Sequence, residues 1–189
     1  MADKLRKRYV AEAFKIPAGS MSPTIETGDY LIVAPLRRPP ARGQIIAFQW
    51  PPDTTKHFLK RVAGVPGDTL AMRDGVLVLN GRTVDEPYAH RTDPDADPSA
   101  TDFEWQRSYL VSTAEAARVH PSRNNWGPLV VSPDSYFVLG DNRDNSLDSR
   151  FWGFVPGRHV RGEPRRIYFS RDPETGRIRW ERIGRAVAD

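Results

Sequence analysis

The chain has 189 residues, 39% of them hydrophobic, enough for one domain with a core and room for an insertion. It contains no cysteine, which excludes disulfides, thiol catalysis and cysteine-held zinc and leaves the redox compartment open. Its net charge of +4, carried largely by arginines in KLRKR and RGEPRR, suits anionic lipid, nucleic acid or acidic proteins, yet speaks by itself only to nonspecific association.

With 17 prolines between short apolar runs, strands and turns are favoured over long helices. Residues 1–13 read as a polar lead, at most a turn of helix; the start is basic but lacks the apolar centre of a secretory signal. YLIVAPL (30–36) and GQIIAFQW (43–50) are strand candidates joined by the turn-forming RRPPARG. HFLKRVAGVPGD (57–68) reads as a strand ending in a Pro-Gly turn. TLAMRDGVLVLNGRTV follows as a β-meander, because Asp74-Gly75 and Asn80-Gly81 are both two-residue hairpin signals. HRTDPDADPSATD (90–102) is polar and proline-broken, an exposed loop. STAEAARVH (112–120) is the one helix candidate, with Ser112 as cap and Glu115 three residues on. PLVVSPDSYFVLGDN supplies two more strands, and RRIYFSRDPETGRIRWERI a closing hairpin. The expectation is a mainly β fold of antiparallel sheets with little helix: a lead at 1–13, a core at 14–84 and 131–189, and an irregular β insertion at 85–130.

Three stretches carry candidate chemistry. In PAGSMSPTIETGDYLIV, Ser20 sits in a turn ahead of a strand and is either a nucleophile or a turn serine. A serine hydroxyl needs an adjacent base to attack. Four histidines exist (His57, His90, His120, His159), none in a recognisable local pattern, and a Ser-His-Asp triad is known by geometry rather than by sequence position. The other base is a neutral lysine, which requires burial to lower its pKa. On a strand, Lys60 shares a face with Phe58 and Val62 while Arg61 points away, so Lys60 is either an edge-strand gatekeeper or a buried base. GDNRDNSLDSRFWGFV (140–155) lacks the ligand spacing and closing glutamate of a calcium loop. It reads either as a plain polar turn or as a charge-paired, rigid loop holding Ser146 against a catalytic group.

Taken in order, IPAGSMSPT with GDYLIV, KRVAGVPGD and GDNRDNSLDSRFWGFV resemble the bacterial type I signal peptidases, also called leader peptidases, over residues 14–185. The resemblance implies a mainly β serine protease that removes signal peptides from exported preproteins after Ala-X-Ala sites with a Ser/Lys dyad, without metal or cofactor, the core at 14–84 and 131–189 being catalytic and the insertion at 85–130 non-catalytic. By motif position Ser20 is then the nucleophile, Lys60 the general base and Ser146 the serine that orients the lysine. Asp148 and Arg150 match the pair that stiffens the loop, Asp141 matches a partner for Arg61, and the Ser20 N–H half of the oxyanion hole. Pro17, Ala18, Met21, Ile25, Phe58 and Leu59 fall at positions lining the substrate pockets.

Two departures stand out. Position 18 is alanine where many relatives carry a serine or threonine that donates the second oxyanion hydrogen bond. The family's N-terminal membrane anchor is also missing from the chain as given, whose RKRYVAEAF resembles the tail of such a span. The family implies a bacterial inner-membrane location with the catalytic domain on the outer, periplasmic side. Phe48, Trp50 and Trp180 are either lipid-touching or core. Other readings are a catalytically weak or inactive peptide-binding relative, or a processing peptidase of conjugative transfer. Self-cleaving repressors share the dyad but need a DNA-binding domain for which there is no room, and no specific nucleic-acid partner is expected.

Overall fold

The computed structural model describes residues 11–98, 101–111 and 120–187. Its strands in chain order are β1 (Glu12–Lys15), β2 (Asp29–Ala34), β3 (Ile45–Gln49), β4 (His57–Gly64), β5 (Thr69–Arg73), β6 (Val76–Leu79), β7 (Arg82–Thr83), β8 (Trp126–Val130), β9 (Ser135–Leu139), β10 (Val155–Pro156) and β11 (Val160–Ser170). They pair antiparallel into a seven-stranded sheet, β1-β2-β11-β3-β4-β9-β10, and a four-stranded sheet, β7-β6-β5-β8. Among the described residues the α-helical element α1 is a single turn, Ser149–Trp152, and 3₁₀ turns lie at Thr101–Tyr109, Gly157–His159 and Trp180–Arg182. The fold is the mainly β one expected.

The meander forms as its turn chemistry requires. Asp74 and Gly75, then Asn80 and Gly81, all take positive φ (46°, 74°, 50° and 80°), the geometry that matches the twist of the flanking strands. The four-stranded sheet crosses the expected boundaries: β5 to β7 come from the segment assigned to the core, β8 from the segment assigned to the insertion. β1 begins at Glu12, so the last two residues of the expected lead are strand. Residues 1–10, and all but the last residue of the expected helix at 112–120, lie outside the described residues. The 3₁₀ turn Thr101–Tyr109 had no sequence signal, its helical register being set by packing against α1.

The closing hairpin forms only in part. Its turn is present, with Asp172 Oδ1 accepting the N–H groups of Glu174 and Thr175 at 3.0 and 2.8 Å. Beyond it only isolated bridges form, Arg171 with Ile178 and Arg166 with Ala186. The chain leaves the strand path because Arg182 turns inward to the buried carboxylate of Asp29, Nη2 to Oδ2 2.6 Å. Burial opposes charge on Asp29, yet Arg182, Ser170 and the Glu26 N–H hold its carboxyl below the usual range.

Three apolar clusters make the core. One gathers Ile16, Met21, Ile25, Leu31, Val33 and Leu59 around the start of the chain; a second lies under the four-stranded sheet around Trp126 and Phe137; a third joins Ile46, Phe48, Val62 and Val138. The large sheet curls: three strands lie between β1 and β4 in it, yet the rings of Phe14 and His57 meet edge to face at 5.7 Å. The cleft described next lies in that curl.

Candidate active site

Residues 16–29 form a loop closed at its base by the Ile16 N–H to the Asp29 carbonyl (2.9 Å) and the Gly28 N–H to the Ile16 carbonyl (2.8 Å). Within it Ser22 donates its N–H to the Gly19 carbonyl and Ile25 to the Met21 carbonyl, while Met21 and Ile25 are buried as apolar anchors. The loop is thereby fastened to the core on both sides of Ser20, whose hydroxyl is left at the cleft.

Lys60 reaches that hydroxyl from β4, Nζ to Oγ 2.7 Å, and donates also to the Leu59 carbonyl at 3.1 Å. It is 4% exposed and lies over the Phe58 ring at 5.3 Å, on the face the strand alternation predicts. The gatekeeper reading fails, since a gatekeeper must meet solvent. Burial pushes the Lys60 amine down from 10.5 to about 8; Asp148 opposes that drop, Arg150 adds to it and Asp141 opposes it. No described hydrogen bond joins a histidine to Ser20, although His57 stands in the cleft.

The loop after β9 braces both groups. Arg61 forms a two-pronged pair with Asp141, 2.8 Å on each prong, and Arg150 a second with Asp148 at 2.8 and 2.9 Å, all four side chains at most 4% exposed. Burial works against the Asp148 charge, but Arg150 and the Gly140 N–H hold its carboxyl below the ordinary value. Gly140 admits no side chain: a Cβ there would lie 2.2 Å from Ser146 Oγ and 2.4 Å from the Ser20 carbonyl oxygen. Ser146 is therefore beside the pair; its buried Oγ makes no hydrogen bond to Lys60, and its polar neighbour is Asp148, whose carboxyl it helps to hold low. The expected Ser146–Lys60 bond is absent; the amine's bonds go instead to Ser20 and Leu59.

Residues passed over in the sequence complete the brace. Asn142 donates its N–H to the Ser20 carbonyl (3.2 Å) and its Nδ2 to the Gly19 carbonyl (3.3 Å). Thr24 donates its hydroxyl to Asp141 Oδ2 at 2.6 Å. Both lie inside the quoted motifs, among charged neighbours that drew the attention.

A cleft of about 310 Å³ opens at Ser20 and Lys60. Pro17, Ala18, Met21, Ile25, Phe58 and Leu59 line it, joined by Phe14, Ile16, His57, Asn145 and Leu147. A larger, more open groove past Pro39 and Arg42 lies elsewhere and contains neither Ser20 nor Lys60. Two open strand edges flank the cleft. Among the described residues β1 ends its sheet, and β4 pairs with β9 only from Arg61 onward, leaving the other edge of residues 57–60 unpaired. Of the aromatic candidates for lipid contact, Phe48 is fully buried and Trp50 stacks on Phe58 at 5.2 Å, whereas Trp180 is 72% exposed.

The profile of the family described as signal peptidase, peptidase S26, matches residues 5–169. The signal peptidase I of Leptolyngbya laminosa is 37% identical over 166 residues, covering 82% of this chain and 68% of that one. The signal peptidase I of Pseudomonas aeruginosa is 31% identical over 210 residues, covering 94% and 72%. A crystal structure of a signal peptidase I from Enterococcus faecalis V583 has 33% identity and a TM-score of 0.45, covering 67% of this chain and 97% of that chain.

Proposed function

Because the chain belongs to the signal peptidase family, peptidase S26, we propose that Ser20 and Lys60 are the dyad with which it cuts signal peptides from preproteins. The family's enzymes are serine endopeptidases, signal peptidases I, that act on signal-peptide-bearing preproteins. The observation that carries the assignment is the 2.7 Å contact between a serine hydroxyl at a cleft and a lysine buried enough to titrate near 8.

The chemistry follows from that contact. Neutral Lys60 Nζ takes the proton of Ser20 Oγ as the oxygen attacks the scissile carbonyl carbon. The oxyanion that forms meets the Ser20 N–H, which no described group engages. The ammonium, in a site holding the carboxylates Asp148 and Asp141, passes its proton to the leaving amine, and the C–N bond breaks. Water then gives a proton to Lys60 and attacks the ester carbonyl; the bond to Ser20 Oγ breaks, Lys60 returns the proton to that oxygen, and the signal peptide leaves with a new carboxyl end.

Substrate fit supports the same reading. An extended peptide laid in the cleft adds as a strand between the open edges of β1 and β4, its carbonyl brought to Ser20. Met21, Ile25 and Leu59 close the floor, so small side chains before the scissile bond enter and larger ones overlap the core. Ala18 supplies no side-chain donor, and Asn145, whose side chain lines the cleft, is a candidate to serve instead.

The family is membrane-associated, and among the described residues no helix is long and apolar enough to cross a membrane. Trp180, Tyr168 and Ile178, exposed by 72, 43 and 39%, are apolar side chains suited to the surface of the bacterial inner membrane, with the cleft on its outer side. The test is cleavage of a peptide spanning an Ala-X-Ala junction in detergent, read by mass spectrometry. A cut after the second alanine, lost in Ser20→Ala and Lys60→Ala, is expected. A folded parent that leaves the peptide whole, with lipid added, overturns the assignment.

A further inference from the structure

We infer that Trp105 and Gln106, in the region outside the catalytic sheet, are positioning residues that hold the loop 140–152 against the dyad. This rests on the Ser20–Lys60 reading above. Both side chains donate to one acceptor: Trp105 Nε1 to the Arg150 carbonyl at 2.9 Å and Gln106 Nε2 to the same oxygen at 3.1 Å. Gln106 is fully buried, so this bond forms away from water, where an unmade one is costly. The surroundings tighten the grip. Phe103 packs on Phe151 with ring centroids 4.8 Å apart. Gly153, at φ +91°, turns the chain beneath the Trp105 indole, where a Cβ would already be in contact at 3.7 Å.

From Arg150 a chain of short contacts leads to the dyad. Its guanidinium holds Asp148 and, at 2.7 Å, the Arg143 carbonyl. Asp148 takes the Gly140 N–H at 3.0 Å, and Gly140 fits beneath the Ser20 carbonyl with no space to spare. A shift of Arg150 therefore moves the groups that locate Ser20 and face Lys60. The same region grips the loop at other points: Glu86 pairs both oxygens with Arg143 at 2.7 Å, and the Asp93 N–H meets Asp144 Oδ2, also at 2.7 Å. Sequence reading assigned 85–130 no catalytic part; the contacts make it the outer wall of the catalytic loop.

The experiment compares the parent, Ser20→Ala, the double variant Trp105→Phe/Gln106→Leu and Trp126→Phe on the Ala-X-Ala peptide. Rates are normalised to folded enzyme by circular dichroism. Trp126 is fully buried in the second core cluster, against which the part-buried Trp105 also packs, but its Nε1 has no partner, so its replacement removes core volume without removing a hydrogen bond to the loop. The double variant is expected to lose about tenfold in kcat, since small misplacement at a reacting group is expensive. Its KM should stay within about twofold, because neither residue lines the cleft. The acidic limb of its pH–rate profile should also move, as Asp148, Arg150 and Asp141, the charged groups facing Lys60, change position. Trp126→Phe should keep the parental kcat and limb. A folded double variant with parental kcat and limb overturns the inference, as does an equal kcat loss in Trp126→Phe. Should the double variant not fold, Gln106→Leu alone carries the test: a two- to threefold kcat loss at constant KM supports it, and parental values overturn it. A parent that cuts no more than Ser20→Ala instead refutes the dyad reading.

Discussion

Replacing Lys60 by methionine should stabilise the fold at neutral pH while abolishing cleavage. The lysine is 4% exposed, and its amine titrates near 8 in the fold against 10.5 when free. At about 1.4 kcal/mol per tenfold, holding the protonated amine in the fold at pH 7 costs about 3 kcal/mol. The sign follows from proton counts. Because the folded value is the lower one, the unfolded chain binds more protons between about 8 and 10.5, and this group's contribution rises with pH across that window. The cost is full below about 8 and falls to about 1 kcal/mol by pH 10. Methionine has similar bulk and no such cost. It also forfeits the hydrogen bonds to Ser20 Oγ and the Leu59 carbonyl, worth about 1 kcal/mol each, so the variant should be ahead by about 1–2 kcal/mol at pH 7. The assay is urea unfolding of both chains at pH 7 and pH 10. The double difference cancels every other titrating group and the pH-independent bonds. The parent should gain about 2 kcal/mol on the variant between the two pH values, about 1 M in urea midpoint for a slope of about 2 kcal/mol per M. A separation of midpoints that is the same at both pH values would show that burial does not depress the Lys60 amine, and would remove the physical basis for a lysine base.

Two further outcomes are expected. Ala18→Ser should raise kcat on the Ala-X-Ala peptide, by up to the roughly 10²-fold that a second oxyanion donor supplies, with KM little changed; an unchanged or lower kcat would mean another group, Asn145 being the candidate, already fills that role. Trp180→Ala should weaken sedimentation with vesicles of mixed zwitterionic and anionic lipid without altering cleavage of a soluble peptide in detergent, because Trp180 is 72% exposed and does not line the cleft; equal sedimentation of both chains would place the lipid contact elsewhere.

Much of the architecture was legible along the chain because it is encoded locally. Asp74-Gly75 and Asn80-Gly81 fix tight turns through their own φ preferences, and the apolar runs on either side have no alternative to pairing. The closing hairpin was half legible for the complementary reason. Its turn is local, but its second strand gives way to a contact with Asp29, about 150 residues away in sequence, which no periodicity announces.

The sequence by itself determined the elements and the residues that meet at the site. Spacing on one strand turns Lys60 and Arg61 to opposite faces, and the polar loop 140–150 carries the acids and arginines that pair there. Only the tertiary structure decided whether Lys60 is buried, since Phe58 and Val62 beside it suit an edge strand equally well. It also decided that Ser146 donates nothing to Lys60, and that Trp105 and Gln106 reach the Arg150 carbonyl. Burial and hydrogen-bond partners depend on which distant segments pack together, whereas turn and strand preferences are properties of neighbouring residues.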